Sequence, residues 1–129
     1  MKKIVFIVPY YGKWPVWIDP YLFSCGTNTT VNWIFFSDLT PPAHAPGNVQ
    51  FVNLSKKDIE DIFFSKTGEK VTIEHPVKFC DLKITYGLIF QEYIAGYDFW
   101  GICDADIIWG DIRKFMTDEI LSAHDIISS

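Results

Sequence analysis

The sequence lacks long apolar runs and clustered basic residues, and each absence excludes a class of protein. No apolar stretch approaches the roughly 20 residues of a membrane-spanning helix, so we expect no transmembrane segment. Attachment to a membrane surface stays open. Lys and Arg number 11 against 16 Asp and Glu, whereas a protein that neutralises nucleic-acid phosphates needs a clustered basic surface. We therefore expect no nucleic-acid partner.

Cysteine is also scarce, with Cys25, Cys80 and Cys103 widely spaced along the 129 residues. Their odd number and the absence of a C-x-x-C pair argue against a disulfide framework and a structural zinc site. We therefore expect reduced, mostly buried thiols in a cytoplasmic protein. Gly-rich phosphate loops are missing too, which argues against dinucleotide oxidoreductases and P-loop nucleotidases.

Apolar residues are plentiful, at 49% of a chain that has the length of one domain. Short apolar runs predict strands at 4–8, 31–36, 49–54 and 99–103, and a fifth, cut short, at 125–127. Apolar residues three and four positions apart predict helices at 14–25, 56–64, 77–96 and 112–122. This alternation predicts an α/β fold with a mostly parallel, Rossmann-like sheet and helices on both faces.

Several residues are expected to mark helix ends. Ser55 with Asp58 three positions later is close to a capping box. Asp111 is expected to cap the helix from 112 to 122, and Pro20 to kink or shorten the first helix.

An Asp-Ala-Asp sequence stands where the fourth predicted strand ends. Residues two apart there project to the same side, so Asp104 and Asp106 offer two oxygen ligands. Mg²⁺ and Mn²⁺ suit carboxylates, and Mg²⁺ takes one or two of them together with substrate phosphates. The pair predicts a metal site, with a solvated acidic turn as the alternative. Because parallel sheets bind ligands beyond their carboxyl ends, 9–11 and Asp38 should meet the pair in one crevice.

Longer segments around this pair resemble a known enzyme family. They are FCDLKITYG at 79–87, YDFWGICDADIIWGDI at 97–112 and VPYYG at 8–12. Together they are similar to the donor half of bacterial GT-A glycosyltransferases, in particular a largely uncharacterised group associated with polysaccharide synthesis. The resemblance extends from Lys3 to Lys114.

The resemblance implies a metal-dependent enzyme that moves a hexose from a nucleotide diphosphosugar, UDP rather than GDP, to a glycan acceptor. It implies a place in bacterial polysaccharide synthesis, in the cytoplasm or at the inner membrane surface. Asp104 and Asp106 would hold Mn²⁺ or Mg²⁺. Residues 9–11 would lie against base and ribose, Asp38 would accept a hydrogen bond from the base, and the polar face of helix 77–96 would meet phosphates or sugar hydroxyls. The implied donor-binding residues are Pro9, Tyr10, Tyr11, Asp38, Lys78, Asp81, Lys83 and Asp104.

The position of the acid pair also bears on how much of such an enzyme is present. GT-A enzymes place the acceptor site and catalytic residue after the D-x-D, and only 23 residues follow Asp106. Residues 1–129 are therefore expected to be the nucleotide-sugar-binding half, truncated after the D-x-D region. A non-catalytic sugar-nucleotide-binding fragment is the alternative. A sugar nucleotidyltransferase is disfavoured because its Gly-rich, basic loop after the first strand is missing. Homo-oligomerisation stays open.

Some implied site residues also have a structural interpretation. The tandem tyrosines could be aromatic packing at a strand end, and Asp38 could organise an Asx turn. Lys78 and Asp81, three apart, could be a surface ion pair of small energetic value. Lys83 is expected to point away from that pair.

Overall fold

A four-stranded parallel sheet is the centre of the structure, a computed structural model in which residues 1–128 are described. The strands are β1 (Ile4–Pro9), β2 (Val31–Ser37), β3 (Val49–Asn53) and β4 (Phe99–Ile102). Their order is β3-β2-β1-β4, and every neighbouring pair is parallel. The α/β, Rossmann-like class expected from the sequence is confirmed.

The two central strands are buried on both faces, as their continuous apolar runs predict. The fourth strand is found where the sequence predicts it but ends one residue earlier, at Ile102. Among the described residues it pairs with β1 alone and forms an edge of the sheet. Its uncharged, apolar sequence is typical of a buried strand, but Trp100 and Ile102 are 41% and 43% exposed, because an apolar run does not reveal whether a strand will lie at the edge.

Helical segments cover both faces of the sheet. Helix α1 (Ile18–Thr27) and the residues after β4 cover one face, while α2 (Lys56–Thr67) and the segment before β4 cover the other. The first helix begins at Ile18 and not at residue 14, so that Pro20 falls in its first turn, where the missing N–H costs no hydrogen bond. The capping box at Ser55 is confirmed. The Ser55 hydroxyl accepts from the backbone N–H of Asp58, and the Asp58 carboxylate accepts from the backbone N–H of Ser55.

The segment between α2 and β4 is a chain of short turns. It comprises 3₁₀ turns at Pro76–Lys78 and Lys83–Thr85 and short helices α3 (Phe79–Leu82), α4 (Tyr86–Ile89) and α5 (Gln91–Ile94). The prediction of one helix over 77–96 is therefore wrong.

Local chemistry explains these breaks. The Thr85 hydroxyl donates to the Leu82 carbonyl at 2.7 Å, a carbonyl that a continuous helix would use. Gly87, a poor helix former, follows, and Trp100 packs so closely on it that an added Cβ would lie 2.6 Å from the indole. The apolar residues still recur every three or four positions, but they pack along the sheet from a series of short turns and not from one continuous helix.

The chain after β4 is also less regular than expected. A 3₁₀ turn at Ile112–Lys114 and α6 (Asp118–Ala123) replace the predicted helix over 112–122. The Asp111 side chain makes no capping hydrogen bond, and Thr117 caps α6 instead. Residues 124–128 form no strand, so the predicted fifth strand at 125–127 is wrong. Within residues 1–128 no helix is both long and apolar enough to cross a bilayer.

The contact between β1 and β4 generates a testable prediction at Gly101. Gly101 is paired with Phe6, and an added Cβ would lie 2.8 Å from the Phe6 ring, which is held between Trp33 and Trp109. Gly101→Ala should lower the free energy of unfolding by about 1–3 kcal/mol through overpacking. Urea denaturation measures it. Gly96→Ala is the control, since its Cβ would meet nothing within 4 Å, and equal stability of the two variants would contradict the packing described.

Candidate functional site

A cleft of about 310 Å³ opens beyond the carboxyl ends of β1 and β4. The chain leaves β1 towards β2 and β3 on one side, while β4 lies on the other side of β1. This is the point at which strand order reverses, where open α/β sheets bind their ligands. Its volume is at the lower end of that of ligand pockets.

Three parts of the chain line the cleft. They are the end of β1, the turns between Pro76 and Tyr86, and the residues that follow β4. The polar or reactive side chains among the lining residues are those of Tyr10, Tyr11, Cys80, Lys83, Tyr86, Cys103 and Asp104.

The two tyrosines at the end of β1 are in different environments. Tyr11 is buried, stacks on Phe79 with ring centroids 5.0 Å apart, and donates its hydroxyl to the Leu54 carbonyl at 2.7 Å. Burial, with the nearby Asp38 carboxylate, raises the pKa of Tyr11 above its usual value. Tyr10 is half-buried and stacks on Trp14, with centroids 5.3 Å apart. Tyr11 is therefore a fixed wall of the cleft, and Tyr10 has more ring surface open to a ligand.

The acid pair lies at the mouth of this cleft. Asp104 and Asp106 follow β4 directly and are both exposed. Asp104 lines the cleft and also an adjoining cavity of about 370 Å³, shared with Asp106, Tyr10 and Trp17. The sequence predicted that residues 9–11, Asp38 and the acid pair share one crevice. The structure brings 9–11 and Asp104 together in the cleft, whereas Asp106 lines only the adjoining cavity and Asp38 lines neither, so the prediction is wrong for Asp38.

The first half of α1 holds the backbone around the acid pair. The N-cap residue Trp17 donates its indole N–H to the carbonyl of Ala105, between the two acids, at 2.8 Å. One turn later, the Tyr21 hydroxyl and the Cys103 thiol lie 3.4 Å apart. The loop that carries the carboxylates is thereby tied to a helix.

The second half of α1 holds the continuation of the same segment. Ser24 accepts from the backbone N–H of Trp109 at 3.1 Å. The C-cap residue Asn28 donates to the Gly110 carbonyl and accepts from the N–H of Ile112, each at 2.9 Å. With spacings of four, three and four, two residues of α1 and its two cap residues form one helical face. We call Trp17, Tyr21, Ser24 and Asn28 the anchoring face.

The donor set of the acid pair fits a hard divalent cation. Both carboxylates are exposed and accessible, and the peptide between them is held in place. Residues 1–128 contain no group of three or more His, Cys, Asp or Glu side chains that could enclose a metal. A site with two carboxylates that leaves its other positions to phosphate and water is the kind that Mg²⁺ uses.

The other predicted donor residues are only partly brought together. Lys83 lines the cleft, and its Nζ lies 3.4 Å from the Asp104 carboxylate. Lys78 and Asp81 do not line it and form their own ion pair at 3.4 Å. Asp38 is exposed beside Tyr11 but does not line the cleft either, and its turn is closed by Ser37, which accepts from the N–H of Leu39.

The three cysteines are free but not equally buried. Cys25 is buried, Cys103 is half-buried, and Cys80 is exposed at the cleft, so the expectation of mostly buried thiols is wrong for Cys80. Burial raises the pKa of Cys25 to about 12 and that of Cys103 to about 11. Both thiols therefore stay protonated at neutral pH and are poor nucleophiles.

Sequence reasoning missed the role of the anchoring face. It assigned Trp17 and Tyr21 to an apolar stripe and gave Ser24 and Asn28 no role. The available signal was the presence of four side chains that can hydrogen-bond on one side of a helix. Their partners lie 82 to 88 positions away, a separation that local patterns do not report.

The anchoring face generates a prediction at Asn28. Asn28→Ala removes the two hydrogen bonds to the segment after β4 and leaves the buried N–H of Ile112 without its acceptor. The free energy of unfolding should fall by about 2–3 kcal/mol, measured by urea denaturation. Hydrogen exchange at residues 109–112 should accelerate. The exposed neighbour Thr29, changed to Ala, is the control, and an equally small effect of both changes would contradict the anchoring role.

Comparison with known proteins places the chain in a family without naming an activity. No functionally curated protein matches it significantly. No solved structure does so either. A family model matches residues 6–129, which is nearly the whole chain, and the chain therefore belongs to the family of unknown function DUF6625.

Proposed function

We propose that the chain is the donor-binding part of a metal-dependent glycosyltransferase, which moves a hexose from a nucleotide diphosphosugar to a glycan acceptor. The observation that carries the proposal is the position of the acid pair. Asp104 and Asp106 follow a strand at the reversal point of a parallel sheet, beside a cleft that also presents Lys83 and Tyr10. Carboxylates, an ammonium group and an aromatic ring are the groups that a metal-bound nucleotide diphosphate needs.

The nucleoside would lie against the end of β1. Tyr10 offers a half-exposed ring, already stacked on Trp14, for contact with a base or ribose. Asp38 is exposed next to Tyr11 but does not line the cleft, so we assign it no contact with the base. We propose UDP rather than GDP, following the family resemblance of the sequence.

The diphosphate would lie between the two sides of the cleft. Asp104 and Asp106 would hold Mn²⁺ or Mg²⁺, which when bound stabilises negative charge on the departing diphosphate. Lys83, on the opposite wall, would add a charge-assisted hydrogen bond to a phosphate oxygen. Because Lys78 and Asp81 lie outside the cleft and are paired with each other, we assign no donor contact to them.

The remaining lining residues would orient the donor. Tyr11 and Phe79 are buried and stacked with their rings 3° from parallel, so this wall is rigid and apolar. Such a wall keeps water from one side of the diphosphate and strengthens the electrostatic contacts on the other side. We place the activity in bacterial polysaccharide synthesis, in the cytoplasm or at the inner membrane surface, as the sequence resemblance implies.

Binding of a sugar nucleotide without catalysis is the second candidate. Among the described residues that line the cleft, Asp104 is the one carboxylate, and histidine is missing. Asp104 is already assigned to the metal, so this part of the chain supplies no general base for an acceptor hydroxyl. A non-catalytic sugar-nucleotide-binding fragment would have the same donor site and no transfer activity.

Charge removal at Asp106 tests the donor site. Asp106→Asn keeps the shape of the side chain but removes a metal ligand, so Mn²⁺-dependent nucleotide binding should be lost while the fold is kept. Thermal unfolding with UDP, GDP or UDP-hexoses, each with Mn²⁺ or EDTA, is the measurement. A nucleotide at about 100 times its Kd should stabilise the unmodified chain by about 2.7 kcal/mol.

The matched control is Asp111→Asn, an exposed aspartate of the same segment that lines neither cavity. It should retain the full Mn²⁺-dependent shift. An unchanged shift in Asp106→Asn would remove the acid pair from the site. Absence of a shift in the unmodified chain with every nucleotide would contradict the donor site as a whole.

A further inference from the structure

Lys83 and Asp104 form an ion pair across the mouth of the cleft. Lys83 belongs to the 3₁₀ turn Lys83–Thr85 on one wall, and Asp104 follows β4 on the other. Lys83 Nζ lies 3.4 Å from Asp104 Oδ1, and the two side chains are 33% and 70% exposed. The same carboxylate is one of the two metal ligands proposed above. Two cationic partners therefore compete for one carboxylate.

We infer that Lys83 masks Asp104 in the free protein and exchanges this partner for the donor diphosphate when metal and nucleotide bind together. This inference rests on the proposed function and adds to it a change of ion-pair partner when the ligands bind. A divalent cation on Asp104 repels an ammonium group held by the same carboxylate. A diphosphate in the cleft offers that ammonium group a new acceptor, because Lys83 already lines the cleft. Metal and nucleotide should thus increase each other's affinity.

The exchange of partner requires little free energy. An ion pair as exposed as this one contributes little to stability, since water screens both charges. The lysine side chain is long and flexible, so it can reach a different acceptor without moving the backbone. The wall that carries Lys83 consists of short turns, whereas both neighbours of Asp104 are held by α1, Ala105 through its carbonyl and Cys103 through its thiol. Of the two partners, Lys83 is therefore the one that moves.

A second ion pair on the same wall provides a matched control. Lys78 and Asp81 also lie 3.4 Å apart, but neither lines the cleft. Lys78→Met and Lys83→Met change the net charge of the protein equally and remove a similar surface contact. A difference between the two variants therefore reports the position of the lysine.

The experiment is a Mn²⁺ titration of the full chain, with free Mn²⁺ measured by electron paramagnetic resonance, with and without UDP. Without UDP, Lys83→Met should bind Mn²⁺ about tenfold more tightly than the unmodified chain, because a repelling charge beside a ligand oxygen is gone. Lys78→Met should bind within about twofold of the unmodified chain. UDP should raise the Mn²⁺ affinity of both proteins, but the factor should be about tenfold smaller for Lys83→Met, because this variant lacks the ammonium group that binds the diphosphate.

Further variants make the outcome decisive. Lys83→Arg keeps the charge and should retain weak binding of Mn²⁺ alone, and circular dichroism verifies the fold of each variant. Equal Mn²⁺ affinity of Lys83→Met and the unmodified chain would overturn the exchange. The proposed function would still hold after that result if Asp106→Asn had lost Mn²⁺ binding. Mn²⁺ binding that is unchanged in Asp106→Asn would overturn the metal site, and failure of both the unmodified chain and Lys83→Met to bind Mn²⁺ would overturn both proposals.

Discussion

The hydrogen bonds from one face of α1 to the chain after β4 are the constraint on which the candidate site depends. Residues 103–111 have no regular secondary structure, so their backbone groups need partners from elsewhere. The anchoring face supplies partners for the Ala105 carbonyl, the Trp109 N–H and the Gly110 carbonyl, and Tyr21 adds a side-chain contact with the Cys103 thiol. Because α1 itself packs on the sheet, the position of the acid pair is set by the core. The loop that carries Asp104 and Asp106 is irregular, but its position is fixed by these contacts.

The opposite wall of the cleft is built differently. Between Pro76 and Ile94 the chain makes five short helical turns, and apolar side chains of this segment pack against the sheet. Tyr11 and Phe79 make the base of this wall rigid, while Lys83 at its rim is partly exposed. A fixed acidic side facing an adaptable basic side suits a ligand with negative charge and a metal ion between them. The proposed exchange of Lys83 follows from this asymmetry.

Features that depend on nearby residues were predictable from the sequence, and features that depend on distant ones were not. The strands at the centre of the sheet and the capping box at Ser55 follow from local apolar runs and a three-residue spacing. The broken helix before β4 required knowledge that Trp100 would pack on Gly87. For the candidate site, Asp104 and Asp106 were predicted because a strand end precedes them. The pairing of Lys83 with Asp104 was missed, since helical geometry assumed over 77–96 directs that lysine elsewhere.

The most direct test of the account is paramagnetic broadening of backbone amide signals by Mn²⁺ in the presence of UDP, recorded by NMR on the ¹⁵N-labelled chain. The account predicts that the amides of Tyr10, Lys83 and 104–106 lose intensity first. Those of Asp98 and Asp118, which accept from the backbone N–H groups of Lys3 and Lys2 before β1, should lose the least, because they lie near the amino ends of the strands. Broadening centred on the amino ends, or no broadening at all, would contradict a donor site at the carboxyl end of β4.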